Sequence, residues 1–334
     1  MKTFMIERYG DRAGVRAGEM PDPQVGVDDV LVRIHAASVN PLDLKLRDGQ
    51  FKAFLPYRLP LILGNDLAGV VVQVGPAVTR FAVGDEIYAR PDKDRIGTFA
   101  ELIAVHQDDV AIKPATLTME EAASLPLVAL TAWQALVERA RVQPGQKVLI
   151  HGGAGGLGSI AVQLAKALGA QVATTASTAK VDLVKELGAD VVVDYRTQDF
   201  ETVLDGYDVV LDSLGGETLK KSLRVLKPGG KAISVAGPPD AAFARELGTN
   251  AILRIVMSAL SWKTRRRAKR RSVTYSFLFM KASGDQLREL TPLIDAGKIR
   301  PVVDRVFPFD QTRQAMEYVE KGRVKAGKVV VAMT

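Results

Sequence analysis

Gly153-Ala154-Gly155-Gly156-Leu157-Gly158 lies between an apolar strand, Lys147 to Gly152, and a helix running to about Leu168. That context decides the fold. The glycine pattern alone is common, but strand, turn and helix in succession set backbone amides and a positive helix terminus around a dinucleotide pyrophosphate. Leu157, Ile160, Ala161, Leu164, Ala165 and Leu168 share one helical face, and Gly169 closes the helix. The plainer alternative is a glycine turn that only lets helix and strand pack closely. Three glycines in register serve three separate backbone needs, which favours the nucleotide.

The next strand, Gln171 to Thr175, selects the dinucleotide. About 20 residues past the glycines an NAD enzyme offers Asp or Glu to the ribose hydroxyls. Here the chain reads Ser177-Thr178-Ala179-Lys180, with no acid before Asp182. A carboxylate would repel a 2′-phosphate, whereas a hydroxyl and an ammonium bind one, so the expected cofactor is NADPH, with Ser177 and Lys180 at its phosphate. The alternative for Lys180 is a solvated residue opening the next helix.

Around this unit the rhythm of the chain changes. Residues before about 120 are β-rich, with strands at Val30–Ile34 and Gly69–Val74 and turns at Pro21-Asp22-Pro23, Pro76-Ala77 and Gly84-Asp85. An Ala- and Leu-rich helix begins near Thr118 and leads through Pro126 to Arg139. From Lys147, strands alternate with helices: Val148–His151, Val172–Thr175, Val191–Val193, Val209–Leu211, Ala232–Val235 and a sixth at Val273–Met280. Such alternation predicts α/β architecture with a doubly wound parallel sheet of the Rossmann type. A helix over Asp285–Ala296, a strand near Val302–Phe307, a helix over Gln311–Gly322 and a last strand, Lys328–Ala332, complete the chain.

At 334 residues, 47% hydrophobic and 25% charged, the chain suits two soluble globular domains. The absence of cysteine excludes disulfides, a thiol nucleophile, iron–sulfur clusters and thiolate zinc sites. His35, His106 and His151 are far apart in sequence and read as strand or turn residues satisfied by hydrogen bonds. Charges scattered from Glu7 to Glu19, Asp11 and Arg12 among them, argue against a signal peptide, and a cytoplasmic protein is expected.

The net charge of +7 is local: Lys263, Arg265, Arg266, Arg267, Lys269, Arg270 and Arg271 carry all of it. The run reads first as a solvated face or mobile loop. Steering of a phosphate-bearing cofactor, contact with anionic lipid behind the apolar Ile252–Leu260 segment, and nucleic-acid binding are the alternatives. Neither a nucleic acid nor a membrane surface is expected as the main partner.

Asn40-Pro41-Leu42-Asp43, Gly64-Asn65-Asp66-Leu67-Ala68-Gly69, Val83-Gly84-Asp85, Leu130-Thr131-Ala132-Trp133, the Gly153–Gly158 turn followed by Gln163 and Lys166, Leu187-Gly188-Ala189-Asp190 and Gly327-Lys328-Val329-Val330 together resemble the medium-chain dehydrogenase/reductase superfamily. The resemblance covers essentially the whole chain and is to the zinc-free branch of quinone oxidoreductases and alkenal or enone reductases. It implies a GroES-like β-rich catalytic domain over 1–122, a Rossmann NADP(H)-binding domain over 123–292, and a return to the catalytic domain over 293–334. Zinc-dependent relatives place a cysteine ligand at Asn40 and a histidine–glutamate pair at Asn65-Asp66; neither is kept here. Hydride transfer to a quinone or to a carbonyl-polarised C=C bond is then the implied reaction, with no metal.

The resemblance also implies roles. Asn40 would face the cleft between the domains and donate to substrate oxygen or hold the nicotinamide ribose; bridging backbone before Pro41 is its plainer role. Asp43, counted with Asn40 and Tyr57 among the catalytic candidates, would orient Asn40 or cap the following helix sooner than act as a base. Tyr57 is the candidate acid, walled by Phe51, Phe54 and Leu55, with simple aromatic packing as the alternative. Thr131 would contact the nicotinamide side, Tyr195 would flank the 2′-phosphate or adenine, and Ser213 would join the cofactor-binding set; a homodimer is the expected assembly. A zinc-free carbonyl reductase or alcohol dehydrogenase, and an RNA- or membrane-binding protein acting through the 263–271 patch, remain as rival functions.

Overall fold

The computed structural model describes residues 1–10, 14–53 and 55–333. The chain divides into two compact units, Met1–Leu130 with Lys281–Thr334, and Thr131–Met280.

The first unit opens with β1 (Lys2–Ile6), β2 (Arg16–Glu19), β3 (Asp29–Val39), α1 (Pro41–Arg47), β4 (Leu61–Ile62), β5 (Asp66–Val74), β6 (Glu86–Ala89), β7 (Leu102–His106) and β8 (Val110–Ile112). Two helices follow, α2 (Met119–Ala123) and α3 (Pro126–Trp133); the passage to the second unit falls inside α3. Thr118 caps α2 as the sequence suggests, its hydroxyl accepting from the Glu121 amide while Glu121 reaches back. After the second unit the chain returns as α10 (Gly284–Asp295), β15 (Val303–Pro308), α11 (Thr312–Glu320) and β16 (Lys328–Ala332). The main sheet runs β15-β16-β3-β5-β6-β8, with β7 also on β3. Strand β3 is the spine: Val30, Val32, Ile34, Ala37 and Val39 enter the core, while Arg33 and His35 point to solvent with the period of a pleated strand.

The second unit holds β9 (Lys147–Ile150), α4 (Gly156–Ala167), β10 (Gln171–Ala176), α5 (Val181–Glu186), β11 (Val191–Asp194), α6 (Phe200–Val203), β12 (Tyr207–Asp212), α7 (Gly216–Val225), β13 (Leu226–Ser234), α8 (Ala241–Glu246), α9 (Ala251–Arg270) and β14 (Thr274–Phe277). All six strands are parallel, in the order β11-β10-β9-β12-β13-β14. Val148, Leu149 and Ile150 of β9 are fully buried, as a central parallel strand covered on both faces requires. Strand order reverses direction between β9 and β12, which opens a crevice at their carboxyl ends.

Both domain boundaries differ from the sequence expectation, the first unit running to Leu130 and not ending at 122. The first unit resumes at Lys281, not at 293, because α10 packs on its sheet: the Tyr88 hydroxyl donates to the Leu287 carbonyl at 2.8 Å. Of the two plain readings of the basic run, the solvated face holds and the loop does not: it forms the second half of α9, a 20-residue helix, with Arg271 at its C-cap.

Gly158 shows why the turn needs glycine where α4 leaves β9. A Cβ there would stand 2.1 Å from the Gly152 carbonyl oxygen, a backbone atom that cannot step aside. Gly158→Ala is expected to lower stability by about 1–3 kcal/mol, read as a shifted urea midpoint at unchanged m-value.

Candidate active site

Sheet register builds a buried polar cluster at one end of the first unit. Val329 pairs with Val39, Ser38 with Asp66, and Leu67 with Ala89, so Lys328, Asn40, Asp66 and Arg90 arrive side by side on four neighbouring strands. All four are at most 6% exposed. The Asn40 amide donates to Asp66 Oδ2 at 2.8 Å, and its carbonyl oxygen accepts from Lys328 Nζ. Asp66 Oδ2 also takes the Ser38 hydroxyl at 2.7 Å and the Lys328 ammonium at 3.3 Å, while Oδ1 takes the Leu127 amide at 2.7 Å. Asp43 joins from α1, its two oxygens accepting the Asn40 backbone N–H and the Asn65 side-chain amide, each at 2.7 Å. Arg90 lies against the Asn65 carbonyl at 3.4 Å and donates to the Pro91 carbonyl at 2.7 Å.

The cluster favours the plainer of the two roles expected of Asn40. Its amide is spent on Asp66 and Lys328 and it is 1% exposed, so in this arrangement it bridges strands and offers no donor to a substrate oxygen. Asp43 is the cap and orienting residue, completing a capping box with Asn40. Burial pushes its carboxyl up to about 6 against the pull of the two donors. Burial likewise lowers Lys328 and Arg90, yet each keeps carboxylates near enough to offset part of that cost.

Tyr57 does not stand ready as an acid. Its hydroxyl donates to the Lys93 carbonyl at 2.6 Å, burial raises its pKa, and with Phe51 it packs against the hydrophobic core. Leu55 is buried as a wall residue would be, and Phe54 lies outside the described residues. Zinc does not fit the cluster. Two amides stand where ligands would be needed, Asp66 is already saturated, and an ammonium occupies the space beside it.

In the second unit, the expected nucleotide residues gather at the carboxyl ends of four adjacent strands. Gly152 takes a φ of +68° after β9, Gly153 passes so close to Thr174 that a Cβ would lie 2.2 Å from its hydroxyl, and Ala154 completes the turn. Gly155 is the N-cap of α4 and no side chain caps it, leaving Gly156, Leu157 and Gly158 to begin the helix with amides aimed at the turn. Ser213, just past β12, donates to the His151 carbonyl at 3.2 Å and stands beside Gly152. Past β10, Ser177 and Lys180 lie half-buried on one 3₁₀ turn, and Tyr195 follows β11, 59% exposed. This set fits a phosphorylated dinucleotide. Thr131 is buried within α3.

Several site residues carry little or no signal in the sequence. Asp194 brings a carboxylate to the phosphate corner from β11, where the Thr178 hydroxyl and the Arg196 amide bind it and lower its pKa. Its distance from the glycines hides it; only the parallel pairing of Ala176 with Asp194 makes it a neighbour. Lys328 is legible only as part of a motif, and Arg90 carries no signal. His151 is satisfied as expected, by Thr175 at 3.2 Å and Ser222 at 2.8 Å, and burial lowers it to about 4.

Comparison with known proteins agrees with this geometry. The family described as "Alcohol dehydrogenase GroES-like domain" matches residues 26–115, and "Zinc-binding dehydrogenase" matches residues 187–331. The chain is 38% identical to 2-methylene-furan-3-one reductase of Solanum lycopersicum, over 99% of this chain and 79% of that one. It is 36% identical to the chloroplastic NADPH-dependent alkenal/one oxidoreductase of Arabidopsis thaliana, with the same coverage of 99% and 79%. Among solved structures, the quinone oxidoreductase from Coxiella burnetii superposes with a TM-score of 0.87 at 31% identity, over 100% of this chain and 99% of that one.

The carboxyl of Asp43 sets a pH dependence. Its folded value, about 6, exceeds the ordinary 3.8, so the native state holds this proton more tightly than the unfolded chain does. The stabilisation is complete below the unfolded value and is lost as pH rises through about 6. Wild type should therefore lose stability relative to Asp43→Asn over that interval, measured by urea unfolding across a pH series; parallel profiles would refute the shift.

Proposed function

The chain belongs to the medium-chain dehydrogenase/reductase superfamily, and from that premise we propose that it is an NADPH-dependent oxidoreductase passing hydride, without a catalytic metal, to a quinone or to the activated C=C bond of an α,β-unsaturated carbonyl. One observation carries the reading. The positions where zinc-dependent relatives hold ligands, Asn40, Asn65 and Asp66, lie in a cluster that Lys328 brings into charge balance. An acceptor that needs no Lewis acid suits such a site. In an enone the β-carbon takes the hydride, charge moves to the carbonyl oxygen and the α-carbon takes a proton; a quinone gains hydride and proton to become a hydroquinone.

NADPH, when bound, supplies the hydride. The protein's part is to hold and orient. Amides of the Gly153–Gly158 turn would take the pyrophosphate, and Ser177 and Lys180, with Tyr195 beside them, the 2′-phosphate. Ser213 would border the same crevice, and Thr131 the nicotinamide side. Asn40 and Asp43 act as positioning residues through the cluster. With the Tyr57 hydroxyl donating to Lys93, solvent is the proton source that the geometry supports. Among the described residues no helix is long and apolar enough to cross a membrane. A cytoplasmic homodimer stays part of the proposal on the family resemblance alone.

The test is NADPH oxidation against quinones, enones and aldehydes with product identification. A saturated ketone or a hydroquinone supports the reading, and an allylic alcohol from an enone would replace it with carbonyl reduction. Lys180→Ala should weaken NADPH binding about ten- to a hundredfold with NADH little changed, since one charge-assisted bond is worth about 1.5–3 kcal/mol. Equal loss for both cofactors would overturn the phosphate assignment.

A further inference from the structure

Helix α9 presents a face that the reaction does not use. Met257, Ser261 and Ala268 form its buried side. On the opposite side and its flank Ile252 is 72%, Ile255 70% and Leu260 58% exposed, with Val256 between them. Four large aliphatic side chains on two turns of one exposed helix are unusual for a soluble surface.

Further along the same helix the outer surface turns basic, with Lys263, Arg266, Arg267, Lys269 and Arg270 exposed. None of them forms an ion pair among the described residues, and α9 contains no acid. Trp262, 50% exposed, marks the junction, with the Arg266 guanidinium 5.0 Å above its ring. Arg265 alone turns back, donating to the Ser258 hydroxyl at 2.7 Å and the Ser258 carbonyl at 2.9 Å.

We propose that α9 is a docking surface for an anionic lipid bilayer, its apolar first half entering the headgroup–acyl boundary and its basic second half lying on lipid phosphates. Charge complementarity selects the occupant. A second copy of this face brings only more cations, whereas an anionic membrane supplies the missing countercharge beside an apolar layer for the aliphatic side chains. Tryptophan at the boundary suits a ring that is apolar in body and polar at its N–H. Polyanions such as RNA would match the basic half but leave the aliphatic half exposed.

The experiment is sedimentation of the full chain with phosphatidylcholine vesicles with and without phosphatidylglycerol, at low and high KCl. The expected result is binding only to vesicles containing phosphatidylglycerol, weakening as KCl rises. The triple variant Arg266→Gln, Arg267→Gln, Arg270→Gln should lose about a hundredfold in vesicle affinity, at about one kcal/mol per charge. The variant Ile252→Ser, Ile255→Ser, Leu260→Ser keeps every charge and should lose at least about tenfold. Thermal unfolding of both variants verifies the fold, so the outcome is independent of the reaction assigned above.

Absence of binding to phosphatidylglycerol vesicles at low KCl overturns the proposal. So does a serine variant that binds as wild type does, because the basic half then acts on any polyanion, RNA included. A serine variant that turns a dimer into a monomer while wild type ignores vesicles assigns the face to a second copy and overturns it equally.

Discussion

The first unit is built around the need to bury two carboxylates, and the answer is to bury two cations with them. Asp43 and Asp66 sit in the interior with Lys328 and Arg90, and the amides of Asn40 and Asn65 link the set. An isolated buried charge costs several kcal/mol, and a balanced, hydrogen-bonded group recovers most of that. The balance requires β16, β3, β5 and β6 to meet in one register, since a slip by one residue would turn each side chain to the opposite face. The same group that closes the end of the sheet thus fixes which chemistry the site can host. With two amides and one ammonium-paired carboxylate at the positions of metal ligands, the interior is neutral without a divalent ion.

The second unit solves a different problem. Its central strand is apolar from Val148 to Ile150, with polarity at its ends. Asp212 is locked by Ser234 at 2.6 Å and by the Gly215 amide at 3.0 Å. His151, neutral by burial, ties β9 to the Thr175 hydroxyl and to α7 through Ser222. These bonds hold the turns after β9 and β12 where an anionic cofactor can meet backbone amides and no side-chain cap competes for them. In the proposed assignment the phosphate would meet the corner after β10, where Lys180 is the available cation and Asp194 is kept occupied by Thr178 and Arg196.

Much of this architecture is legible in the sequence. The glycine turn, the alternation of strands and helices and the six parallel strands follow from local pattern, because a 3.6-residue or two-residue period is written into neighbouring positions. The capping role of Asp43 is also readable, three residues past Asn40. The sequence leaves two roles open for Asn40 because a side chain's partners need not be near in sequence: Lys328 is 288 residues away and Asp66 is 26. The choice for Tyr57 between acid and packing residue is hidden for the same reason, its partner being the Lys93 carbonyl.

By itself the sequence determined the class of fold and pointed to a phosphorylated dinucleotide and a proposed place for it, all of which rest on contacts within a few residues or one strand–turn–helix unit. Tertiary structure decided the rest. Pairing of distant strands chose the neighbours of Asn40, brought Asp194 to the phosphate corner and set α10 on the first unit. Helix α9 turned a charged stretch into a surface with an apolar half and a basic half, since which residues a helix shows depends on what packs behind it. Register and packing are properties of pairs of segments, and no single segment carries them.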